Sequence, residues 1–408
     1  MNRAEPIEPI DPTRSVLPLH PGVDGIELRH LRAFATVADE LNFARAADRL
    51  YLSAPALSRQ IRGLERVIGC DLFRRTTRRV ELTLAGDAML DCARRILADL
   101  DDGVAATRAV GGQLSARINA MWEPLVDAVV TGGELAAMRA AIEEFLAQLP
   151  KPESVTVLPQ RLGGVPTLQL TPPDVTNGVL LYLHGGGHVM GSAFGYQAFV
   201  GELAATCAAR AVLPDFRLAP EHPFPADLDD ARAVYLDLLA TGTAPEEITV
   251  VGDSAGAGLA LSLLRDIDGQ RLPRPAGAVL LCPWVDLTCS SYPKDREQPA
   301  RFQSYQQVRR CADLYLGGAS GDLTLLDPLS ADLSGLPPTL VHAASDDAML
   351  LDAKRLTDHA RSCGVDIHLE IYGVDTHDFH VFWSFLPEAA RALQDVAAHL
   401  TARRSRRH

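Results

Sequence analysis

Residues 248–264 read ITVVGDSAGAGLALSLL, a β-branched apolar run, then a glycine-rich turn, then an apolar stretch with helical character. Within it, Gly252, Ser254 and Gly256 form a G-x-S-x-G pattern. Glycines on both sides allow the serine to occupy a tight, strained turn that lifts its hydroxyl clear of the strand. The pattern therefore predicts that Ser254 is a nucleophile at a strand-to-helix junction. For the pentapeptide alone, a glycine-rich helix start without chemistry is the alternative.

Apolar strands alternate with helical stretches on both sides of this junction. Strands that are buried on both faces and separated by helices form a parallel sheet, so we predict an α/β fold with a doubly wound, mostly parallel sheet. Chemistry in such sheets collects at the carboxyl ends of the strands. The strand candidates are GVLLYLH, ARAVLPDF, EEITVVG, GAVLLCPW, PPTLVHAAS and DIHLEIYG.

The strand VLLYL runs into HGGG at residues 184–187. Glycine N–H groups can point into a site without a Cβ in the way, and they can hold the oxyanion of a tetrahedral intermediate. We therefore predict that the N–H groups of Gly185, Gly186 and Ala255 form an oxyanion site. His184 is expected to be a structural hydrogen-bonding residue, because the base comes later in this chain order.

A serine nucleophile needs a histidine base and a carboxylate that orients it, in the order serine, acid, histidine. Asp346 and Asp347 follow the strand PPTLVHAAS, and His377 and His380 follow LEIYG. Each pair falls just past the end of a predicted strand, where catalytic groups are expected. The residues alone leave two choices for the acid and two for the base.

A set of ordered sequence words gives this part of the chain a specific resemblance. Residues from about 115 to 402 resemble the hormone-sensitive-lipase family of α/β hydrolases. The resemblance implies a serine ester hydrolase that acts on a small hydrophobic ester, with Asp347 as the acid and His377 as the base. It also implies a helical cap at residues 112–150, and neither a metal nor an organic cofactor. The matching words are HGGG, DFRLAPEHPFPADLDDA, GDSAGAG, LCPWVDLT and THDFHVF.

The first part of the chain has a different electrostatic character. The whole protein has a formal net charge of −13, yet residues 28–80 contain 11 arginines against five acidic residues. A basic module joined to an acidic one is expected when one end binds a polyanion. FARAADRL predicts a short helix, and Ser53, an N-cap followed by Pro55, begins the next. The pair predicts a helix-turn-helix, and FRRTTRRVELT predicts a β-hairpin wing.

This basic module resembles the DNA-binding module of LysR-type regulators over residues 28 to about 111, through the words FARAADRL, LSAPALSRQIRGLE, IGCDLFRR and LTLAG. The resemblance implies a winged helix-turn-helix that binds double-stranded DNA. Ala54 departs from the family pattern, which commonly has glutamine there, and so removes an amide that could read adenine. The residues implied to lie near DNA are Ser53, Pro55, Ser58, Arg59, Arg74, Arg75, Arg78 and Arg79.

The stretch AGDAMLDCARRILADLDDGVAATRAV predicts a longer helix after the wing. LysR-type regulators pair through such a linker helix, so the resemblance implies a homodimer. A helix packed on its own domain is the alternative, because the apolar repeat covers only about two heptads. The apolar positions that step by three and four residues, as in a coiled-coil seam, are Leu90, Ala93, Leu97, Leu100 and Val104.

Composition and segment boundaries complete the sequence-based picture. The N-terminal segment lacks the apolar core of a signal peptide, and runs such as GVLLYL are too short to cross a bilayer, so we expect a cytoplasmic protein without a membrane partner. Seven scattered cysteines without C-x-x-C spacing indicate reduced thiols. The predicted parts are a disordered tail (1–27), a winged helix-turn-helix domain (28–83), a linker or dimerisation helix (84–111) and an α/β-hydrolase domain (112–408).

Three functional hypotheses follow from this combination. The first is a dimeric DNA-binding regulator whose hydrolase domain binds, and hydrolyses, a small hydrophobic ester. The second is a receptor that uses the hydrolase pocket for a ligand without turnover, although an intact candidate triad argues against it. The third is an ordinary esterase whose basic head is vestigial or was joined to it by a fusion.

Overall fold

The computed structural model describes residues 25–75, 79–130, 134–290, 292, 305–319 and 323–405. The chain forms two compact units, Met1–Gly112 and Gln113–His408, against a predicted boundary between residues 111 and 112. Positions 1–24 of the predicted tail lie outside the described residues. The prediction of a disordered tail is wrong at residues 26 and 27. Ile26 packs against the core of the first unit, and Glu27 is the N-cap of its first helix.

The first unit has three short helices, a hairpin and the start of a long helix. Asn42 caps the second helix by accepting hydrogen bonds from Ala44 and Arg45, and Ser53 caps the third by accepting one from Ala56. These caps satisfy N–H groups that would otherwise lack partners. The elements are α1 (Leu28–Glu40), α2 (Phe43–Arg49), α3 (Ala54–Ile68), β1 (Phe73–Arg75), β2 (Val80–Leu82) and α4 (Leu84–Val130).

The helix α4 differs from the predicted linker in length and in what its seam contacts. It continues to Val130 instead of ending near residue 111. Leu90 and Ala93 are buried in the core of the first unit, and Leu97 packs against the same core. At these positions the structure therefore favours the alternative of a helix packed on its own domain, because the side chains are already covered within one chain. The Val104 side chain is not among those that the structure describes.

The second unit is built around an eight-stranded sheet with the strand order β10-β9-β8-β7-β5-β6-β4-β3. The strands from β10 to β6 in this order run parallel, and β4 and β3 are antiparallel to their neighbours. The strands are β3 (Thr156–Leu162), β4 (Val165–Thr171), β5 (Val179–Leu183), β6 (Arg210–Pro214), β7 (Ile248–Asp253), β8 (Gly277–Leu281), β9 (Thr339–Ala344) and β10 (Ile367–Tyr372).

Helices cover this sheet, as expected for strands that are buried on both faces. Every residue of β5, β7, β8 and β9 is buried. All six predicted strands are present, as β5 to β10, which confirms the α/β fold. The helices are α5 (Leu135–Ala147), α6 (Ala193–Thr206), α7 (Ala226–Ala240), α8 (Ser254–Gly269), α9 (Tyr305–Leu316), α10 (Leu350–Ser362) and α11 (Pro387–Ser405).

The hairpin of β3 and β4 has no counterpart among the predicted strands. Leu162 pairs with Val165, so Gly163 and Gly164 form the two-residue loop between the strands. Both glycines have positive φ, 57° and 84°, which is what the favoured two-residue hairpin loops require. The signal was present in the sequence as two glycines between alternating segments. Within the described part of the chain, no helix combines the length and apolar character needed to span a membrane.

Candidate functional sites

Ser254 occupies the junction between β7 and α8. Its φ of 50° is left-handed, which is uncommon for a residue with a side chain and matches the predicted strained turn. Both flanking glycines are sterically required. A Cβ on Gly252 would lie 2.3 Å from the Gly256 carbonyl oxygen, and one on Gly256 would lie 2.1 Å from the Leu183 carbonyl oxygen. The backbone of this turn is therefore packed too closely for any other residue at those two positions.

Ser254 faces a mostly apolar pocket that opens to solvent. Predicted cap segments supply one wall, through Trp122 of α4 and Phe145 of α5, whose rings stack 4.1 Å apart. Helix α9 supplies another wall, which sequence reasoning missed although its apolar residues recur at helical spacing. The other lining residues are Ile142, Leu146, Gly186, Gly187, Met190, Tyr196, Trp284, Gln307, Val308, Cys311, Met349, Asp378 and Val381.

His377 and Asp347 form a buried pair near this pocket. His377 Nδ1 lies 2.8 Å from Asp347 Oδ2, and Asp347 Oδ1 accepts a hydrogen bond from Met349 N. Burial by itself lowers the pKa of His377, but the carboxylates of Asp347 and Asp378 raise it to about 10. Nε2, the atom that would take a proton from a serine, lies 3.1 Å from Asp378 Oδ2. The ring is thus held between two carboxylates.

The other two triad candidates have different surroundings. The Asp346 side chain is only partly buried, and its N–H donates to Val374 O. His380 is fully buried, with Nε2 3.3 Å from His342 Nδ1 and its ring stacked on that of His342. Of the four candidates, only Asp347 and His377 are joined by a hydrogen bond in the described structure.

Gly185 cannot serve as the predicted oxyanion donor in this geometry. Its N–H already donates to Asp253 Oδ1 over 2.9 Å, and a Cβ on Gly185 would lie 2.3 Å from Asp253 Oδ2. Asp253 also accepts hydrogen bonds from the hydroxyls of Tyr182 (2.6 Å) and Tyr196 (3.0 Å). Burial raises the pKa of Asp253, and these three donors oppose the increase. The two glycines of this loop that line the pocket are Gly186 and Gly187.

The second unit is similar to known ester hydrolases. Residues 180–381 match the family model described as alpha/beta hydrolase fold. The chain is 31% identical over 274 residues to an esterase of Acinetobacter venetianus, covering 65% of this chain and 88% of that protein. It is 33% identical to the crystal structure of an esterase from the bacterial hormone-sensitive lipase family, with a TM-score of 0.66, covering 71% of this chain and 97% of that one.

The chain belongs to the hormone-sensitive-lipase family of α/β hydrolases. It is a carboxylic ester hydrolase by this membership. A further relative is an acetyl-hydrolase of Streptomyces hygroscopicus, 36% identical over 222 residues, covering 54% of this chain and 74% of that protein. Residues 28–87 match a second family model, described as bacterial regulatory helix-turn-helix protein, lysR family. This hydrolase therefore carries a LysR-type helix-turn-helix domain ahead of its catalytic fold.

A cysteine completes a buried cluster in the hydrolase. One ligand atom each from Cys282, Asp347 and His377 lies within 4.8 Å of the others, a set that could in principle hold a metal. Asp347 and His377 are already hydrogen-bonded to each other, and the Cys282 thiol lies beside them. Burial raises the pKa of Cys282, so the thiol stays protonated.

An arginine ties the cap of the hydrolase to the loops around the pocket. Arg139 of α5 donates to both carboxylate oxygens of Glu221, at 2.8 and 2.7 Å, and to the carbonyl oxygens of Val189 and Ala219. This pairing is the first cause of the lowered pKa of Glu221, about 2. The planar guanidinium suits a bidentate contact of this kind. Glu221 therefore anchors the cap instead of entering the chemistry.

The predicted DNA-binding residues fall into different groups. Ser53, Pro55, Arg59 and Arg74 are exposed, and Ser58 is partly buried. Arg79 is exposed, and its guanidinium lies 3.8 Å from Glu81. Arg78 lies outside the described residues. Arg62, whose guanidinium donates to Ser58 O and Oγ, is a further exposed cation on the same helix.

Arg75 is also exposed, but it differs from the other predicted DNA contacts because its guanidinium is paired within the first unit. It donates to Glu65 Oε2 over 2.6 Å, and its guanidinium lies over the Phe43 ring at 4.8 Å. Glu65 in turn accepts hydrogen bonds from the N–H groups of Leu72 and Phe73 at the start of the wing. Arg75 is therefore better explained as a support of the wing than as a phosphate ligand.

Proposed function

We propose that Ser254 is the nucleophile of this ester hydrolase, His377 its general base and Asp347 the carboxylate that orients the base. The observation that carries the assignment is the combination of a left-handed Ser254 at the end of β7 with the 2.8 Å contact between His377 and Asp347. The first feature exposes a hydroxyl to the pocket. The second fixes the tautomer and orientation of the imidazole.

The proposed reaction is acyl transfer to water in two steps. Neutral His377 accepts the Ser254 proton at Nε2 while the serine oxygen attacks the ester carbonyl, and the imidazolium then protonates the leaving alcohol. Water attacks the acyl-serine with His377 again as the base, and the acid leaves. The N–H groups of Gly186, Gly187 and Ala255 hold the oxyanion, because the first two line the pocket and the third lies at the start of α8.

We further propose a small, hydrophobic acyl group as the preferred substrate. Aromatic and aliphatic side chains line most of the pocket, including Trp122, Phe145 and Trp284. Such a lining favours an apolar group over a charged one. The name acetyl-hydrolase carried by the Streptomyces hygroscopicus relative supports a short acyl chain.

We propose that the same protein is a transcriptional regulator that binds double-stranded DNA. This is supported by the LysR-type match and by the exposed arginines Arg59 and Arg74, which can neutralise phosphates. A homodimer through α4 would use outward positions such as Ile96, 41% exposed, because Leu90 and Ala93 are buried in their own unit. Since its DNA partner would be in the cytoplasm, we propose the same compartment for the protein.

We also propose that ester binding regulates DNA binding, because the chain combines a hydrolase pocket with a LysR-type helix-turn-helix domain. A ligand that binds two dimer arrangements with different affinity would shift DNA binding, and DNA would shift ester affinity by the same factor.

Ester turnover tests the catalytic assignment. The wild-type chain should hydrolyse p-nitrophenyl acetate or butyrate, and Ser254→Ala should abolish turnover while the fold, followed by circular dichroism, is retained. Ester binding without turnover in the wild type would favour the receptor hypothesis. Turnover that survives Ser254→Ala would overturn the proposed nucleophile.

DNA retention tests the regulatory proposal. The full-length chain should bind duplex DNA with an affinity that falls as salt rises, and the pair Arg59→Ala with Arg74→Ala should weaken binding. The pair Arg361→Ala with Arg391→Ala removes the same charge from exposed positions of the hydrolase unit and should leave binding unchanged. No salt-dependent retention by the wild-type chain would leave an esterase with a vestigial head.

A further inference from the structure

Asp378, the residue after the proposed base, makes a contact that the reaction does not use. Its Oδ2 lies 3.1 Å from His377 Nε2, on the ring nitrogen opposite to Asp347. Resting on the function proposed above, we infer that Asp378 is a positioning residue that holds His377 Nε2 in the resting enzyme and competes with Ser254 for it. The site thus contains a second carboxylate partner of the base.

The number of N–H groups on the imidazole ring determines whether Nε2 is available to Ser254. A neutral imidazole carries one N–H, whereas the imidazolium carries two. His377 presents Nδ1 to Asp347 at 2.8 Å and Nε2 to Asp378 at 3.1 Å, so the positive charge of an imidazolium is balanced by a carboxylate at each ring nitrogen. An imidazolium has no lone pair at Nε2 with which to take the Ser254 proton. The arrangement seen in the structure is therefore a resting state of the base.

The surroundings of Asp378 do not explain its presence by local structure. It has a φ of 47° and precedes the short 3-10 turn at Phe379–Phe382, yet its side chain makes no capping hydrogen bond there. It is only 6% exposed, and among the described residues its Oδ1 accepts no hydrogen bond. A buried carboxylate with so few donors is costly unless a cation balances it. His377 is the cation that the described part of the chain places within reach.

Several titratable groups face His377 and Asp378 from the surrounding elements. Asp347 follows β9, Cys282 follows β8, and His380 lies in the 3-10 turn. Asp253, at the end of β7, repels the charge of Asp378. Burial raises the pKa of Asp378 and His377 lowers it, while the two nearest carboxylates keep the pKa of His377 well above its ordinary value.

Activation then requires that one proton leaves the pair. The Nε2 proton of the imidazolium passes to water, Asp378 remains a carboxylate and loses its ion-pair partner, and the Nε2 lone pair becomes available to the Ser254 hydroxyl. The fraction of active enzyme therefore rises with pH. Removing the Asp378 charge makes this proton easier to lose and extends activity to lower pH.

The test compares the pH dependence of kcat/KM for p-nitrophenyl butyrate in the wild type, Asp378→Asn and Asp378→Gly, from about pH 5 to about pH 10, with Ser254→Ala as the blank. Asparagine and glycine both tolerate the left-handed backbone. The acid limb should move down by about one to three pH units in both variants, the usual effect of losing an opposite charge at this distance. Glu370→Gln, which removes a partly exposed carboxylate from β10, should not shift the acid limb of the kcat/KM profile.

The outcomes separate this inference from the function on which it rests. An acid limb unchanged in both variants, with turnover that still depends on Ser254, overturns the role of Asp378 and leaves the triad intact. Turnover independent of Ser254 overturns the proposed function instead. If the variants do not fold, ¹⁵N NMR of the wild type with labelled histidines measures the protonation of the His377 ring nitrogens. The variant His377→Gln identifies the signals of this residue. Both ring nitrogens of His377 should be protonated at about pH 7.5, and a neutral ring overturns the inference.

Discussion

Trp122 Nε1 donates a hydrogen bond to Thr376 Oγ1 over 3.0 Å, although 254 residues separate the two. Thr376 immediately precedes His377, the proposed base. The Trp122 ring also stacks on Phe145 and meets the Phe382 ring edge-on at 5.9 Å. A single residue of α4 therefore joins the cap, the pocket wall and the loop that carries the base.

Removing this hydrogen bond should have a measurable cost. Trp122→Phe keeps an aromatic ring at the stack but loses the donor, and should lower the free energy of unfolding of the hydrolase unit by about 1 kcal/mol. Thr376→Val removes the acceptor from the other side. Urea-induced loss of esterase activity, measured in a double-mutant cycle, should reveal coupling between the two. Effects that simply add would show that the contact contributes nothing.

The choice between the two adjacent acids should be visible in turnover. Asp347→Asn removes the charge that orients His377 and should lower kcat about 10⁴-fold with the fold intact. Asp346→Asn is the matched control and should retain near wild-type kcat, because its side chain is only partly buried and the acid bonded to His377 is its neighbour. A larger loss in the Asp346 variant would reverse the assignment.

The packing of Gly185 against Asp253 predicts a strong effect of one methyl group. In Gly185→Ala the new Cβ would lie 2.3 Å from Asp253 Oδ2 and 3.0 Å from the Tyr196 hydroxyl, so the HGGG loop must shift. A displaced oxyanion site should reduce kcat about 10²-fold or more. Gly269→Ala at the end of α8, where nothing lies within 4 Å of the new Cβ, should leave kcat unchanged. Equal activity of the two variants would contradict this packing.

Two neighbouring arginines of the first unit should respond differently to removal. Arg75→Ala leaves the buried Glu65 without its cation and should destabilise the first unit by about 2 kcal/mol. Arg74→Ala should leave stability unchanged and should instead lower DNA affinity and reduce the salt slope of binding by about 1. Thermal unfolding followed by circular dichroism, with DNA titrations at several salt concentrations, measures both effects. Loss of stability in the Arg74 variant would contradict the assignment.

Buried histidines should make the hydrolase unit sensitive to mild acid. Burial lowers the pKa of His342 from 6.5 to about 3 and that of His184 from 6.5 to about 4. The folded state therefore binds fewer protons than the unfolded state below pH 6.5, so their contribution is complete above that pH and is lost as pH falls toward 3. Urea unfolding should give a smaller free energy of unfolding at about pH 5 than at about pH 7.5. His342→Asn should flatten this dependence, and an unchanged slope would contradict it.

Much of the molecule could be predicted because its signals are local. The strand, turn and helix around Ser254 are encoded within 17 residues, and the caps at Asn42 and Ser53 within four residues each. Strands such as β5 and β8 are predictable because each is an unbroken apolar run that a sheet covered on both faces can bury. Resemblance supplied the choice of Asp347 and His377, which spacing alone left open.

Other features were decided only when distant segments packed together. Gly185 and Asp253 are 68 residues apart, and only the folded chain shows that the Gly185 N–H donates to Asp253 and so is not available to an oxyanion. The sequence predicts that Arg75 binds phosphate, but in the folded chain its guanidinium pairs with Glu65, ten residues earlier. The spacing of Leu90 and Ala93 is that of a coiled-coil seam, but both side chains are buried in the core of the first unit.

The sequence by itself determined the order of the two modules, the α/β sheet and the strained serine turn, because turn, cap and burial preferences act over a few residues. Tertiary structure decided which polar group each donor finds and whether a charged side chain faces solvent or a carboxylate. Such pairings depend on distances between segments that are far apart in the chain. The contact between Asp378 and His377 belongs to the second kind even though the residues are adjacent, because the rotation of both side chains is set by the packing around them.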